Sequence, residues 1–202
     1  MKGWRFETAS LFLLLMSEHL ILVRHSAVQI DTAVSSHNWQ LSEDGRFRCH
    51  TLAAQLQPYN PDRFVTSEEN KARETGQILA EVLGLPCAAA AGLQEHDRRG
   101  MPYFESKAAF EAAVAVFFAR PNELVFGQET AVQARTRFET AVTKLQASYP
   151  RQTLGIVSHG TVITLFICAH NPELDPLAFW QSLTLPAAFV LTLPALKLED
   201  VI

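Results

Sequence analysis

The chain of 202 residues has little of what marks several large classes of protein. Its three cysteines, Cys49, Cys87 and Cys168, are scattered and form no Cys-x-x-Cys pair, which argues against a disulfide framework and a zinc site. We expect ordinary thiols in a reducing, cytoplasmic compartment. The absence of internal repeats and low-complexity tracts excludes a solenoid. The formal net charge is −4 and no long basic run occurs, so no nucleic-acid partner is predicted.

The apolar stretch near the N-terminus is short. Lys2 and Arg5, followed by the apolar residues 9–16, imitate the charged start and apolar centre of a signal peptide. No small-x-small cleavage site follows, and a bilayer span needs about 20 apolar residues, so no membrane partner is predicted. We expect residues 1–15 to be an N-terminal extension or an over-extended start, with a membrane or secretory signal as the alternative. Residues 16–202 are then one domain.

Two apolar segments far apart in the chain each end in a histidine. Residues 20–24 precede His25, and residues 154–158 precede His159. Continuous apolar runs of this length are typical of strands buried on both faces of a parallel sheet, and ligands bind beyond the carboxyl ends of such strands. Two imidazoles and the guanidinium of Arg24 at one sheet edge suit a tetrahedral phosphoryl group. The N–H groups of the helix that follows His159 are a further expected anion site.

Strand and helix patterns alternate along the rest of the chain. This alternation predicts an α/β three-layer sandwich, with a mainly parallel central sheet covered by helices on both faces. Ser42 is expected to cap a helix whose apolar side carries Phe47, and Gly84 to end a helix that begins at about Glu69. Further helices are predicted at about residues 108–118, 130–148 and 162–169, a short strand at 62–67, and a late strand entered through Pro186.

The order of these motifs resembles that of the histidine phosphatase superfamily, which includes the cofactor-dependent phosphoglycerate mutases and many small phosphatases. The Leu-Val-Arg-His segment at residues 22–25 resembles the signature of this family. The resemblance covers nearly the whole chain from Glu18 onward, and it implies a small helical cap of about residues 97–128 over the C-terminal sheet edge. Similar segments follow at residues 39–46, 67–75, 93–95, 123–130, 157–160 and 179–186.

The resemblance implies a role for each matched residue. His25 would be the nucleophile that becomes phosphorylated, while Arg24 and His159 would hold the phosphoryl oxygens. Glu95 would give a proton to the leaving alcohol and then take one from the incoming water. The residues that follow it, 96–99, are expected at the rim or in solvent. The remaining substrate-binding positions are Ser26, Lys71 and Gly160.

Two matched positions depart from the family pattern. Ser26 stands where glycine is usual, and a serine keeps the backbone N–H for a phosphate contact as long as its φ is negative. Lys71 stands where the family's second clamping arginine belongs. Lysine keeps the charge and loses the planar fork of two parallel donors, so activity is expected to be reduced or tuned to another substrate. Arg73 is close in sequence but points elsewhere on the helix.

The resemblance therefore implies a metal-independent phosphomonoesterase that works through a phosphohistidine, without a cofactor, on a small phosphorylated metabolite. A phosphoglycerate mutase-type phosphoryl transferase and a weakly active, phospholigand-binding regulatory relative are the alternatives. Residues 100–126 are rich in phenylalanine and contain Lys107 and Arg120 as their basic residues. That composition favours a partly apolar phosphoester over the highly charged sugar acid of a mutase. The sequence leaves the substrate and the oligomeric state open.

Overall fold

A six-stranded sheet forms the centre of the fold in the computed structural model, which describes residues 18–202. The expectation for residues 1–15 lies outside the described residues. The strands are β1 (His19–Arg24), β2 (Arg63–Thr66), β3 (Cys87–Ala89), β4 (Leu154–Ser158), β5 (Ala187–Thr192) and β6 (Lys197–Val201). Their spatial order is β3-β2-β4-β1-β5-β6. Strands β1 to β4 pair in parallel, while β5 is antiparallel to β1 and to β6. The predicted α/β architecture is confirmed, with a mixed sheet.

Helices cover both faces of this sheet because successive side chains of a strand point to opposite faces. Leu20 and Leu22 of β1 belong to one apolar core, and Ile21 and Val23 belong to the other. The helices are α1 (Glu43–Leu56), α2 (Asn70–Leu83), α3 (Lys107–Ala119), α4 (Ala131–Ser148), α5 (Gly160–His170) and α6 (Pro176–Ser182). Helices α1 and α2 pack on the second core, and α4 and α5 pack on the first.

Two helix ends follow the predicted chemistry. The Ser42 hydroxyl accepts a hydrogen bond from the Gly45 N–H at 3.0 Å and so caps α1. Gly84 ends α2 with a φ of +69°, a left-handed conformation that glycine adopts without strain. The prediction for Phe47 is wrong, because its side chain is 71% exposed. Position 47 lies on the side of α1 opposite to Gly45, whose face carries the buried residues of this helix.

Two edge strands have no counterpart in the sequence prediction. Strand β3 is three residues long, and β6 has the polar sequence Lys-Leu-Glu-Asp-Val with most of its side chains exposed. Neither carries the apolar run or the alternation by which a strand is recognised. Within residues 18–202, no helix combines the length and the apolarity needed to cross a membrane.

A third apolar cluster lies outside the two sheet cores. It contains Val114 and Phe117 of α3 together with Phe126 and Ala131, and Trp180 of α6 packs against it. Most of these residues fall in the segment 97–128 that was expected to form a cap. The segment is rich in phenylalanine because these side chains pack against one another and against Trp180 of α6.

Candidate active site

The parallel pairing of β1 with β4 brings the two strand-end histidines together. Arg24 is in register with Ser158, and the His25 N–H donates to the Ser158 carbonyl at 3.0 Å. The ring centroids of His25 and His159 are 5.2 Å apart. Both imidazoles are buried. The two rings are therefore close enough to contact one phosphoryl group, as their positions at the ends of parallel strands predict.

The hydrogen bonding of His25 determines its tautomer. Its Nδ1 lies 2.8 Å from the Ser26 carbonyl oxygen, which can only accept, so Nδ1 carries the proton and Nε2 keeps a lone pair. Burial, followed by the nearby His159 and Lys71, lowers the pKa of His25 well below its usual value. The imidazole is consequently neutral near pH 7, which is the nucleophilic form.

Arg24 presents an unpaired donor in this region. One terminal nitrogen of its guanidinium donates to the carbonyls of Leu183 at 2.9 Å and Thr184 at 3.2 Å, whereas its Nε is buried without a hydrogen-bond partner among the described residues. A Cβ at Gly160 would lie 3.2 Å from that Nε, so glycine leaves the guanidinium its space. A buried N–H without a partner is a suitable donor to an anion.

Both hydrogen-bond donors of Ser26 are engaged by other parts of the chain. Its N–H donates to the Thr75 hydroxyl at 3.0 Å and its own hydroxyl donates to the Gly45 carbonyl at 2.7 Å. Its φ is not positive, so serine replaces glycine there without backbone strain. The N–H for which a phosphate contact is predicted is thus already bonded to the Thr75 hydroxyl. Ser26 instead ties the end of β1 to helices α1 and α2.

Lys71, the predicted counterpart of the family's second clamping arginine, is buried in the first turn of α2. Its ammonium is 2.5 Å from Oε2 of Glu69 and donates to the Ser36 carbonyl at 2.8 Å. Both side chains of the pair are 7% exposed. Arg73 is exposed on the other side of α2, as expected, and lines a groove with Cys87. The Lys71 charge lowers the pKa of His25 and His159, after burial in each case, and the ammonium already holds a carboxylate.

Sequence reasoning missed Glu69. Besides pairing with Lys71, this carboxylate accepts a hydrogen bond from the Glu95 N–H at 2.9 Å and places Oε1 3.3 Å from Nε2 of His159. That nitrogen is also 2.9 Å from the Ser67 hydroxyl. In the sequence, Glu69 is one of two glutamates before a helix, a common pattern of a solvated first turn. No local signal distinguishes it from Glu68.

The Glu95 carboxylate is bound to the N-terminus of helix α5, although Glu95 itself lies far earlier in the chain. Its carboxylate accepts hydrogen bonds from the Thr161 N–H at 3.1 Å and the Val162 N–H at 3.3 Å, and a third from the His96 N–H at 2.9 Å. The helix start that was expected to receive a substrate anion therefore holds a carboxylate of the chain itself. Glu95 is also close to His159, because its carboxylate binds the first turn of α5 and His159 directly precedes that helix.

The charge state of Glu95 follows from its surroundings. Burial alone would raise the pKa of this carboxyl, but the Arg98 guanidinium, His159 and the backbone donors outweigh burial and lower it to about 2. The side chain is a carboxylate at neutral pH in the unliganded protein. It is ready to accept a proton and must first acquire one in order to donate it.

The residues after Glu95 differ from one another in position. Arg99 is exposed and paired with Asp97 at 2.6 Å, as expected at a rim. His96 is buried, with its ring centroid 4.3 Å from that of Phe117 and its Nε2 3.1 Å from the Glu129 carbonyl, so its expected exposure is wrong. The aromatic cluster of α3 provides the apolar contacts that bury it.

Arg98 also faces inward. Its guanidinium carbon lies 5.0 Å from the ring centroid of Phe110 on α3, a cation–π contact. Burial raises the pKa of Glu95, and the Arg98 charge is the largest of the effects that lower it. Burial and then the Lys71 ammonium lower the pKa of His159, to which Arg98 adds a smaller lowering. Arg98 is therefore a cation of the segment 97–128 whose charge acts on Glu95 and His159.

Metal-ligating clusters and disulfides were not expected. Among residues 18–202, no three His, Cys, Asp or Glu side chains are grouped so that they could hold a metal ion. The cysteines Cys49, Cys87 and Cys168 are free. The positive groups that act on His25 are Lys71 and Arg24.

Comparisons with known proteins agree with this geometry. A family model described as the histidine phosphatase superfamily (branch 1) matches residues 20–193. An uncharacterized phosphatase of Bacillus subtilis, PhoE, is 25% identical over 141 residues, which cover 67% of this chain and 68% of PhoE.

Solved structures share the fold at lower identity. A mycobacterial glucosyl-3-phosphoglycerate phosphatase has a TM-score of 0.68 at 22% identity, covering 87% of this chain and 90% of that one. A variant phosphoserine phosphatase of Entamoeba histolytica, in complex with phosphoserine, has a TM-score of 0.71 at 15% identity, covering 91% of this chain and 95% of that one. At these identities the likeness shows a common fold.

Proposed function

Because the chain belongs to the histidine phosphatase superfamily, we propose that it is a metal-independent phosphomonoesterase that acts through a phosphohistidine at His25 on a small phosphorylated metabolite. The observation that carries the proposal is the state of His25, a buried neutral imidazole with its Nδ1 proton on the Ser26 carbonyl and its Nε2 lone pair free. His159 lies beside it, and Arg24 keeps an unpaired N–H.

The reaction has two displacements at phosphorus. In the first, Nε2 of His25 attacks the phosphoryl group, the P–N bond forms, and the bond from phosphorus to the ester oxygen breaks. The proton carried by the phosphate monoanion of the substrate passes through the Glu95 carboxylate to the leaving alcohol. In the second, Glu95 accepts a proton from water as that water attacks phosphorus, the P–N bond breaks, and inorganic phosphate leaves. Arg24 and His159 donate to the phosphoryl oxygens, whose negative charge they offset.

The basic residues of α3 and its flank argue against the mutase alternative. Lys107 lies 3.4 Å from Glu111, and Arg120 lies 3.4 Å from Glu123. Both cations therefore have carboxylate partners on their own segment. A transferase acting on a highly charged sugar acid needs several unpaired cations around its substrate. In this segment Arg98 is the one cation without a carboxylate partner among the described residues, which supports hydrolysis over transfer.

Arg98 supports a narrower substrate class. It has no carboxylate partner within 4 Å among the described residues, it is backed by the ring of Phe110, and its charge reaches Glu95, which lies on the leaving-group side in the proposed reaction. The two structurally similar phosphatases are named for phosphoserine and for a phosphoglycerate derivative, which carry a carboxylate as well as the phosphate. We infer that the preferred substrate carries a second anionic group that Arg98 binds.

Replacing Arg98 by glutamine is expected to reduce kcat/KM for phosphoserine, relative to p-nitrophenyl phosphate, by about 5- to 20-fold, the scale of a lost hydrogen bond between charged groups. p-Nitrophenyl phosphate lacks a second anion and is the reference substrate. Arg99→Gln is the matched control, because Arg99 is exposed and paired with Asp97, and it should leave the ratio unchanged. An equal loss for both substrates would contradict this role for Arg98.

Hydrolysis is expected to persist after dialysis against EDTA. The guanidinium of Arg24 and the imidazole of His159 supply donors for the phosphoryl charge without a metal ion, so activity should stay within about 20% of the untreated protein. The measurement is p-nitrophenyl phosphate hydrolysis before and after dialysis, and again after magnesium or manganese is added. Complete loss on dialysis that either metal restores would assign the protein to another mechanistic class.

A further inference from the structure

Glu69 is a buried carboxylate that takes no part in the two proposed displacements at phosphorus. It directly precedes α2, but its side chain makes no capping hydrogen bond to that helix and is 7% exposed. A carboxylate removed from water to this extent is unfavourable unless it is paired and hydrogen-bonded. The partners that stabilise Glu69 therefore indicate what it does.

The oxygens of Glu69 contact the groups that are proposed to hold the substrate. Oε2 lies 2.5 Å from the Lys71 ammonium, and Oε1 lies 3.3 Å from Nε2 of His159. His159 is fully buried, and its Nδ1 has no partner among the described residues. A phosphoryl group presents the same kind of anionic oxygen to an ammonium and an imidazole. The Glu69 carboxylate thus contacts Lys71 and His159, the two side chains that are also proposed to bind the phosphoryl group.

We propose that Glu69 is an internal competitor of the phosphoryl group, which contacts Lys71 and His159 in the free site and gives them up when the phosphoryl group binds. The inference rests on the proposed phosphatase function, since the phosphoryl group is the anion that displaces the carboxylate. It adds a residue that sets the affinity of the site for small anions.

The lysine at position 71 fits this exchange. Two of the three N–H groups of its ammonium contact Glu69 and the Ser36 carbonyl, and the third remains for another acceptor. An arginine in its place would form a two-pronged pair with the Glu69 carboxylate that is harder to break. Lysine, a compact charge on a flexible stem, can pass from one anion to the other.

The competition favours substrates that bind through more than their phosphate. A substrate whose organic part contacts the site can offset the loss of the Glu69 contacts, whereas inorganic phosphate and minimal esters have no such part. We therefore expect weak product inhibition by phosphate and a low kcat/KM for p-nitrophenyl phosphate. Removal of the Glu69 charge should strengthen inhibition by phosphate and raise kcat/KM for p-nitrophenyl phosphate.

The test compares the wild-type protein with Glu69→Gln and Glu68→Gln, using orthovanadate and inorganic phosphate as probes. Glutamine keeps the size of the side chain and an acceptor for the Glu95 N–H, and it removes the charge. We expect the vanadate Kd, measured by calorimetry, to fall about 10- to 100-fold in Glu69→Gln, because a like charge is removed and a cation is released. The kcat/KM for p-nitrophenyl phosphate should rise.

Glu68→Gln is the matched control, because it removes the same charge one residue earlier from an exposed side chain. It should leave the vanadate Kd unchanged. An unchanged or higher Kd in a folded Glu69→Gln protein, checked by circular dichroism, would overturn the proposal and make Glu69 a support for His159. If wild-type turnover is normal, that result leaves the phosphatase function standing. If no protein binds vanadate or hydrolyses esters, both proposals fall.

A second measurement needs no variant. In a crystal structure of the wild-type protein with vanadate, Oε2 of Glu69 should lie beyond about 4 Å from the Lys71 nitrogen, the usual limit of an ion pair. Vanadate bound at His25 with Glu69 still on both Lys71 and His159 would equally overturn the proposal.

Discussion

Replacing His25 by alanine is expected to lower turnover of every phosphomonoester by roughly 10⁴-fold or more, the scale observed when the nucleophile of a covalent mechanism is removed. The variant lacks the Nε2 lone pair that forms the P–N bond in the proposed mechanism. Acid-labile, alkali-stable phosphate on the protein should be present during wild-type turnover and absent in the variant.

The control for this prediction is His50→Ala, since His50 is exposed on α1. It should leave turnover and phosphoprotein labelling unchanged. Circular dichroism of His25→Ala should match that of the wild-type protein, because the backbone bond from the His25 N–H to the Ser158 carbonyl does not depend on the side chain. Labelling that survives in His25→Ala would place the phosphoryl group on another residue and contradict the mechanism.

The second large effect is expected for Glu95→Gln, whose amide cannot exchange a proton with the leaving alcohol. Turnover of an alkyl phosphate should fall by about 10²- to 10⁴-fold, the usual contribution of general acid–base catalysis. Formation of the phosphoenzyme from p-nitrophenyl phosphate should slow much less, because p-nitrophenolate leaves without a proton. Rapid-quench labelling measures this first step separately. Equal slowing with both substrates would count against Glu95 as the proton donor.

The low pKa of Glu95 adds a pH dependence to this prediction. At about 2 the carboxyl is ionised in the free protein throughout the neutral range, so the proton for the first step must arrive with the substrate. A phosphomonoester has a second pKa of about 6, and its monoanion carries that proton. We expect kcat/KM for an alkyl phosphate to fall about tenfold per pH unit above pH 6, as the monoanion disappears.

The same reasoning predicts the acid side of the profile. Burial lowers the pKa of His25 well below its usual value, so the nucleophile stays neutral as the pH falls through 6.5. No loss of kcat/KM from protonation of His25 is expected near that pH. A decline that begins at the ordinary histidine pKa would show that the imidazole is more exposed to water than this geometry implies.

Much of the fold and part of the site follow from local sequence patterns. Buried parallel strands need continuous apolar runs, and the side chains after such strands converge at one edge, which places His25 beside His159. Helix ends depend on nearby residues, so the Ser42 cap and the Gly84 terminus were predictable. The short strand β3 and the polar strand β6 were not, since neighbouring strands rather than their own residues stabilise them.

The site's charge arrangement depends on contacts between distant segments. The strand patterns predicted that His25 and His159 would meet at one sheet edge, whereas Glu95 and Lys71 were assigned to the same site only through the resemblance to the family. Only the tertiary structure decided which cation meets which anion. The pairing of β2 with β4 brings Glu69 to His159, which is 90 residues away in the chain, and it leaves Glu68 in solvent. The partners that distinguish Glu69 from Glu68 include His159 and the Glu95 N–H, which come from distant segments of the chain and are brought to Glu69 by the fold.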